Sequence, residues 1–370
     1  MKKKMLYIMH IDWNWIKQRP QFLAEELSEY YDVTIAYQKS YRTHGFTRDE
    51  KPKIDTFVFL TIPFKGRMKL LTIINSYFVK FQIKLLLLTK KYEVIWLTHP
   101  LLYSYIPRSS SSKIIYDCMD DALEFPKIKN NSIMKKHFFD LENKLCFASD
   151  IIFSSSQYLK NKLINRYKVL EKKVVVVNNG IHLKNLENNE LPHEIKKWFN
   201  TKFKNIVYIG TISEWFDFDL IFKSLNEIDG INYLLFGPTE IGIPKHKNII
   251  HCGSVNHEYV SSIMQYADLL IMPFKVNELI KSVNPVKAYE YIYSGKPALI
   301  VQYEETEKFK EFLYLYNSDK EYISIVKNII FNEMSKNISK EKRENLIQDA
   351  SWNNKAKEII TTIEAKNMND

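Results

Sequence analysis

The sequence predicts two parallel, doubly wound α/β domains, on three observations. Short, nearly continuous apolar runs rich in β-branched residues alternate with helical patterns through the first half of the chain. The alternation restarts after an interruption rich in asparagine and charge. The length, 370 residues, exceeds what one hydrophobic core usually serves.

In the first half, strands are expected at residues 6–11, 33–37, 57–62, 94–97, 114–116, 151–153 and 174–177. Helices are expected at 19–29, 68–90, 132–147 and 157–167. Around residues 183–204 the rhythm fails. Asn185, Asn188, Asn189 and Pro192 lie among charges there, which reads as a linker carrying a short helix. Beyond it, strands are expected at 206–209, 233–236, 249–251, 269–272 and 298–301, with helices at 218–226, 258–266, 286–293 and 305–315 and a helical tail over 319–366. The domains implied are 1–183, a linker 184–203, a second domain 204–350, and a terminal helix 351–370 packing back toward the first domain. Ligands of such sheets bind beyond the carboxyl ends of the strands, so two facing sheets would create a central cleft.

The richest motif is Ser282-Val-Asn-Pro-Val-Lys-Ala-Tyr-Glu-Tyr-Ile-Tyr-Ser-Gly-Lys-Pro297, a loop running into a helix. Lys287 and Glu290 stand one turn apart on one face of that helix, and Gly295 closes it. The string resembles the donor-site signature of GT-B glycosyltransferases, particularly the family 4-like enzymes. The resemblance implies that Glu290 accepts hydrogen bonds from the ribose hydroxyls of a nucleotide and that Lys287 reaches its diphosphate. A carboxylate suits two vicinal hydroxyls because it offers two acceptor oxygens. Ser282 and Asn284 belong to the same donor segment.

Two further segments are similar to that family. Val177-Asn-Asn-Gly-Ile-His182 matches the turn that closes the first domain. Ile209-Gly-Thr-Ile-Ser-Glu-Trp-Phe-Asp217 matches the loop that approaches the donor phosphates, where Gly210 permits close approach and Thr211 and Ser213 offer donors. The chain departs from the family in that loop, which carries no arginine or lysine pair. Ser282 also replaces the first glutamate of the E-x7-E motif.

The first half resembles the TuaH-like transferases of teichuronic-acid and capsule assembly, through Trp13-Asn-Trp15, Arg19-Pro-Gln21 and Tyr116-Asp-Cys-Met-Asp-Asp121. By that resemblance Trp13 and Trp15 stack on acceptor sugars and Arg19 holds an acceptor phosphate. Asp120 takes the place of a catalytic-site histidine and orients the acceptor hydroxyl or balances developing positive charge. Asp120 and Asp121 could instead cap the following segment. The resemblance further implies a hexosyltransferase that needs no metal, a UDP- or GDP-linked sugar as donor, and an undecaprenyl-diphosphate-linked saccharide as acceptor. Two alternatives stay open: a GT-B-fold sugar-nucleotide epimerase, and a non-catalytic subunit that binds sugar nucleotide or membrane.

Composition sets the surroundings. Cys118, Cys146 and Cys252 are widely spaced and odd in number, which suits buried thiols in a reducing compartment. The net charge of +10 suits phosphate-bearing partners, but no nucleic-acid-binding module is visible. The opening residues, Met1 to Trp13, read as a basic lead-in to a buried strand rather than a signal peptide. No stretch is read as reaching the length of a membrane span; the nearest, Met68 to Leu88 within the region Met68–Lys91, is interrupted by Lys80 and Lys84. As a helix it would gather Lys69, Lys80, Lys84 and Lys91 into an arc of roughly 60°, beside a broad apolar face. That pattern suits docking on an anionic membrane. The expectation is a cytoplasmic protein, peripheral at the inner face of the cell membrane.

Overall fold

The computed structural model describes residues 2–15, 17–39, 54–62, 69–107, 111–182, 189–199 and 202–367. They form two compact units, Met1–Asn178 with Trp352–Asp370 and Asn179–Ser351. The chain therefore crosses between units after Asn178, five residues before the boundary read from the sequence, and returns at Trp352.

The first unit runs β1 (Lys4–Ile8), α1 (Arg19–Leu27), β2 (Asp32–Gln38), β3 (Asp55–Phe59), α2 (Lys69–Thr89), β4 (Val94–Leu97), α3 (Pro100–Tyr103), β5 (Lys113–Cys118), α4 (Pro126–Lys129), α5 (Ser132–Ala148), β6 (Ile151–Ser154), α6 (Gln157–Tyr167) and β7 (Val174–Val176). The sheet order is β3-β2-β1-β4-β5-β6-β7, all parallel. Its apolar runs are continuous because both faces are covered. Met5, Tyr7, Trp96 and Phe153 face one layer, while Leu6, Ile8, Leu97 and Ile152 face the other. The two-residue period of a strand enforces that division. Trp96 stacks between Tyr7 and Phe153, at 5.6 and 5.5 Å between ring centroids. Each side chain so buried contributes about 1.5–3 kcal/mol.

α2 corrects one reading. Leu70–Thr89 is long and apolar enough, by length and composition, to cross a bilayer, with mean hydropathy 1.4. Its inner side is nevertheless committed to this unit. Val79, Ile83 and Leu86 pack on the sheet, Asn75 accepts from the Ile62 amide, and the Gln82 side chain both accepts from and donates to the Leu60 backbone. The opposite side exposes Leu70, Ile73, Ile74, Tyr77, Phe81 and Leu88, each more than 44% accessible. Lys80, Lys84 and Lys91 are exposed beside it. Met68 and the side chain of Lys69 lie outside the described residues.

The second unit holds α7 (His193–Lys196), β8 (Lys204–Ile209), α8 (Phe218–Glu227), β9 (Ile231–Phe236), β10 (Ile249–Gly253), α9 (Val260–Tyr266), β11 (Leu269–Met272), α10 (Glu278–Ser282), α11 (Val286–Ser294), β12 (Ala298–Val301), β13 (Tyr314–Tyr316), α12 (Asp319–Phe331) and α13 (Lys340–Asp349). Its parallel order is β10-β9-β8-β11-β12-β13. The helix expected over 305–315 is instead a 3-10 turn, Glu307–Phe309, followed by β13. Thr306 explains the break, since its hydroxyl bonds the Val301 and Tyr303 carbonyls and accepts from the Tyr303 amide. Such side-chain bonds compete with helical ones. Of the linker read from the sequence, 184–203, residues 184–188, 200 and 201 lie outside the described residues.

The last helix, α14 (Trp352–Asn367), belongs to the first unit. Trp352 stacks on Phe22 of α1 at 5.4 Å, and Ala356, Ile359 and Ile363 are buried in the same core. Strand order reverses between β1 and β4 in one sheet and between β8 and β11 in the other. In an open α/β sheet, ligands settle at such switch points, outside the carboxyl ends.

Candidate active-site groups in the two units

In the second unit, α11 starts after Pro285 and stops at Gly295, whose φ of +70° is the left-handed cap expected of glycine. Tyr291 ties the helix to the sheet by donating to the Ile271 carbonyl at 3.0 Å. That anchorage leaves Lys287 and Glu290 side by side. The ammonium lies 2.6 Å from Glu290 Oε2, and the side chains are 29% and 8% exposed. An accessible cation beside an enclosed carboxylate fits a diphosphate next to a ribose.

The loop before α11 is held from several sides. Asn284 donates to Glu305 at 2.9 Å and accepts from the Asn179 amide at 3.0 Å, while the Asn179 side chain donates to the Asn284 carbonyl at 3.0 Å. Tyr303 donates to the Val283 carbonyl at 3.1 Å. Asn179 is thus tied to the loop that leads into α11. Asn284 and Ser282, read from the sequence as donor contacts, are instead buried scaffold. The Ser282 hydroxyl is fully enclosed and donates to the Leu279 carbonyl at 2.6 Å.

The loops at the β8/β11 switch point are laced together. The Asp217 amide donates to the Pro273 carbonyl at 2.8 Å, and the Lys275 amide donates to the Trp215 carbonyl at 2.7 Å. Gly210 begins the first of them. A Cβ on Gly237, where φ is +136°, would sit 2.1 Å from the Gly210 carbonyl oxygen, so glycine is required for this close approach. Thr211 is half-buried, its carbonyl accepting from Tyr208 at 2.8 Å. Ser213 is buried and donates to Glu240 at 2.7 Å, which turns its hydroxyl from the expected donor contact to loop support.

In the first unit, the three aspartates after β5 divide their roles. Asp117 is fully buried and meets the Arg19 guanidinium at 2.8–3.1 Å. Arg19 also donates to the Val177 carbonyl at 2.8 Å and is 5% exposed. The acceptor-phosphate role expected for Arg19 gives way to a buried clamp between β5, α1 and the end of β7. Asp121 accepts from the Leu123 amide at 3.2 Å, as a cap does, and pairs with Arg166 at 2.6 Å and Lys162 at 2.9 Å. These cations hold its carboxyl below the usual range against the opposing effect of burial.

Asp120 differs from both. It is half-buried, and among the described residues its carboxylate has no recorded hydrogen-bond or ion-pair partner. Burial raises its pKa to about 6, with Asp121 and Asp117 adding to the rise and Arg19 opposing it. A carboxylate free of scaffold duties and poised near neutrality has the properties of a reacting group. Among the described residues, no three His, Cys, Asp or Glu side chains are grouped to hold a metal. Asp117 and Asp121 are already matched with cations.

Trp13 is 7% exposed and belongs to the core beside Met9, Leu23 and Tyr37, so its ring is not available to stack on a sugar. Trp15 remains partly exposed, in a turn where its amide donates to the Asp12 carbonyl at 3.1 Å. Sequence reasoning missed Glu305, Arg166 and Gly237. Only Gly237, in Phe236-Gly237-Pro238 at a strand end, carried a readable turn signal.

No family model matches the chain. Over 274 residues it is 23% identical to the teichuronic acid biosynthesis glycosyltransferase TuaH of Bacillus subtilis, covering 70% of this chain and 68% of that one. Among solved structures, sucrose-phosphate synthase of Thermosynechococcus elongatus superposes with a TM-score of 0.73 at 12% identity, covering 100% of both chains. HepE of Anabaena, solved with UDP and glucose, gives 0.70 at 14% identity, covering 98% of this chain and 100% of that one. The chain has the fold of the GT-B glycosyltransferases and a sequence similar to that of TuaH of Bacillus subtilis.

Proposed function

We propose that this chain transfers a hexosyl group from a UDP- or GDP-linked sugar to a lipid-linked saccharide during cell-surface polysaccharide synthesis. The observation that carries the reading is the Lys287–Glu290 pair, held on α11 by a buried scaffold. UDP is favoured because it is the nucleotide in the HepE structures of the same fold. Glu290 takes the ribose hydroxyls, and Lys287 with the Gly210 loop takes the diphosphate. Lys287 and loop amides then stabilise the departing nucleotide without a metal. Asp120 orients the acceptor hydroxyl. Calorimetry should show UDP or GDP binding with Kd in the range of roughly 1 μM–1 mM. Flat titrations with both nucleotides and their common hexose conjugates would sink the proposal.

The acceptor side of the proposal rests on α2. An α/β helix ordinarily turns a polar face outward, whereas this one exposes Leu70, Ile73, Tyr77, Phe81 and Leu88 beside Lys80 and Lys84. An anionic bilayer matches both features, which supports a reading in which the protein works at a membrane surface on lipid-linked saccharides. Vesicles rich in phosphatidylglycerol should sediment the protein, and phosphatidylcholine vesicles should do so weakly. Lys80→Ala with Lys84→Ala should weaken the anionic binding by about 2 kcal/mol, roughly thirty-fold. Equal binding to both vesicle types would remove the electrostatic half of this argument.

A further inference from the structure

The switch point of the first sheet carries a second set of polar groups. Register places Ile8 opposite Leu97 and Leu97 opposite Tyr116. Just beyond these positions the three adjacent strands deliver His10, His99 and Asp120 in turn. The imidazoles of His10 and His99 are 4.8 Å apart between centroids, tilted by 31°, and His99 also meets the edge of Phe138 at 5.6 Å.

Their bonds fix the tautomer of His99 and tie that of His10 to the Thr98 hydroxyl. His99 Nδ1 accepts from the Leu101 amide at 3.2 Å, so its proton resides on Nε2. The Thr98 hydroxyl oxygen accepts from the His10 amide at 3.2 Å and lies 2.9 Å from His10 Nδ1, donating to that nitrogen in one arrangement and accepting from it in the other, where the hydroxyl proton goes to the Ile8 carbonyl at 3.3 Å. In the second arrangement His10 carries its proton on Nδ1 and presents a bare Nε2. Burial pushes the His99 imidazole down to about 3, with His10 adding to the shift, and pushes the more exposed His10 in the same direction. Both rings are neutral at physiological pH, although His10 keeps access to solvent. Among the described residues neither Nε2 has a recorded partner.

We propose that His10 and His99 form the hydroxyl-recognition pair for the acceptor saccharide, His10 Nε2 accepting and His99 Nε2 donating. This rests on the glycosyltransferase reading. It goes beyond that reading by assigning acceptor selection to two residues at the β1/β4 switch point. A vicinal pair of sugar hydroxyls supplies one donor and one acceptor, the complement of this pair. Phosphate does not match it, because an anion needs donors at both positions. The two histidines are positioning residues, and orienting the reacting hydroxyl stays with Asp120.

The test uses the full chain with octyl β-glucoside, octyl β-galactoside and octyl N-acetyl-β-glucosaminide as probes. Long-range proton–nitrogen NMR should find His10 protonated on Nδ1 and His99 on Nε2. At least one glycoside should move both Nε2 resonances without any nucleotide present. In transfer assays, His10→Ala and His99→Asn should each raise the acceptor KM about tenfold, with kcat and UDP affinity little changed. Asparagine retains an oxygen for the Leu101 amide, so His99→Asn separates recognition from helix capping. Reversed tautomers, glycosides that leave both imidazoles unmoved, or variants that lower kcat at constant KM would each overturn the proposal. Failure of the unaltered protein to bind UDP or GDP would count against the glycosyltransferase reading instead. The NMR measurement needs no donor and would still decide the histidine pair.

Discussion

Glu290→Ala is expected to weaken nucleotide binding by about 2–4 kcal/mol, a loss of roughly 30- to 1,000-fold measured by calorimetry. The magnitude follows from geometry. The carboxylate is 8% exposed on its side chain, so hydrogen bonds from ribose hydroxyls form where water competes poorly. Each bond to a charged acceptor contributes about 1.5–3 kcal/mol. The fold should survive, because Lys287 is 29% exposed and can solvate its ammonium once the partner is gone. An i,i+3 pair of this kind stabilises a helix by only about 0.2–0.5 kcal/mol. Glu290→Gln keeps the shape and one acceptor oxygen, and should fall between the two. If Glu290→Ala binds UDP and GDP as the unaltered protein does, α11 is not the donor site.

How much of this was legible beforehand depended on how local each signal is. Apolar strands announce themselves by composition, and among the described residues twelve of thirteen were placed within a few residues. β13 was lost because Thr306 breaks the helix through its own side-chain bonds, an effect that apolar periodicity does not register. Lys287 and Glu290 were readable because one helical turn separates them. The fates of Arg19 and Ser213 were not, because each is decided by a distant carboxylate: Asp117 lies 98 residues from Arg19, and Glu240 lies 27 from Ser213. Trp13 follows a strand that enters the core, and nothing in Trp13-Asn-Trp15 says which indole turns inward. The aspartate run shows the same limit. The sequence left the capping role open to both Asp120 and Asp121, and the Leu123 amide, together with Arg166 and Lys162 on α6, gives it to Asp121.

That division gives Asp120 an expected effect on rate and on stability, in opposite directions. Asp120→Asn should lower the transfer rate by about 100- to 10,000-fold, the range for a group that handles a proton or its charge. For the unaltered enzyme, kcat/KM should fall as pH drops through about 6, where the carboxylate gains its proton. The same substitution should stabilise the fold. The folded pKa is raised from 3.8 to about 6, so between those values the folded state binds protons more tightly than the unfolded one. Stability therefore declines as pH rises through that window, and the full penalty of holding a partly buried charge is present above it. A shift of this size corresponds to at most about 3 kcal/mol, and solvent access reduces it to roughly 1–2 kcal/mol. Asparagine is neutral throughout and escapes that penalty, so thermal melts at pH 8 should show Asp120→Asn the more stable, with the difference shrinking toward pH 4. A carboxylate serving the scaffold, as Asp121 does, would behave in the opposite way, because its removal strands Arg166 and Lys162. An Asp120→Asn protein that melts lower at pH 8, or that keeps the unaltered rate, would move the reacting group elsewhere.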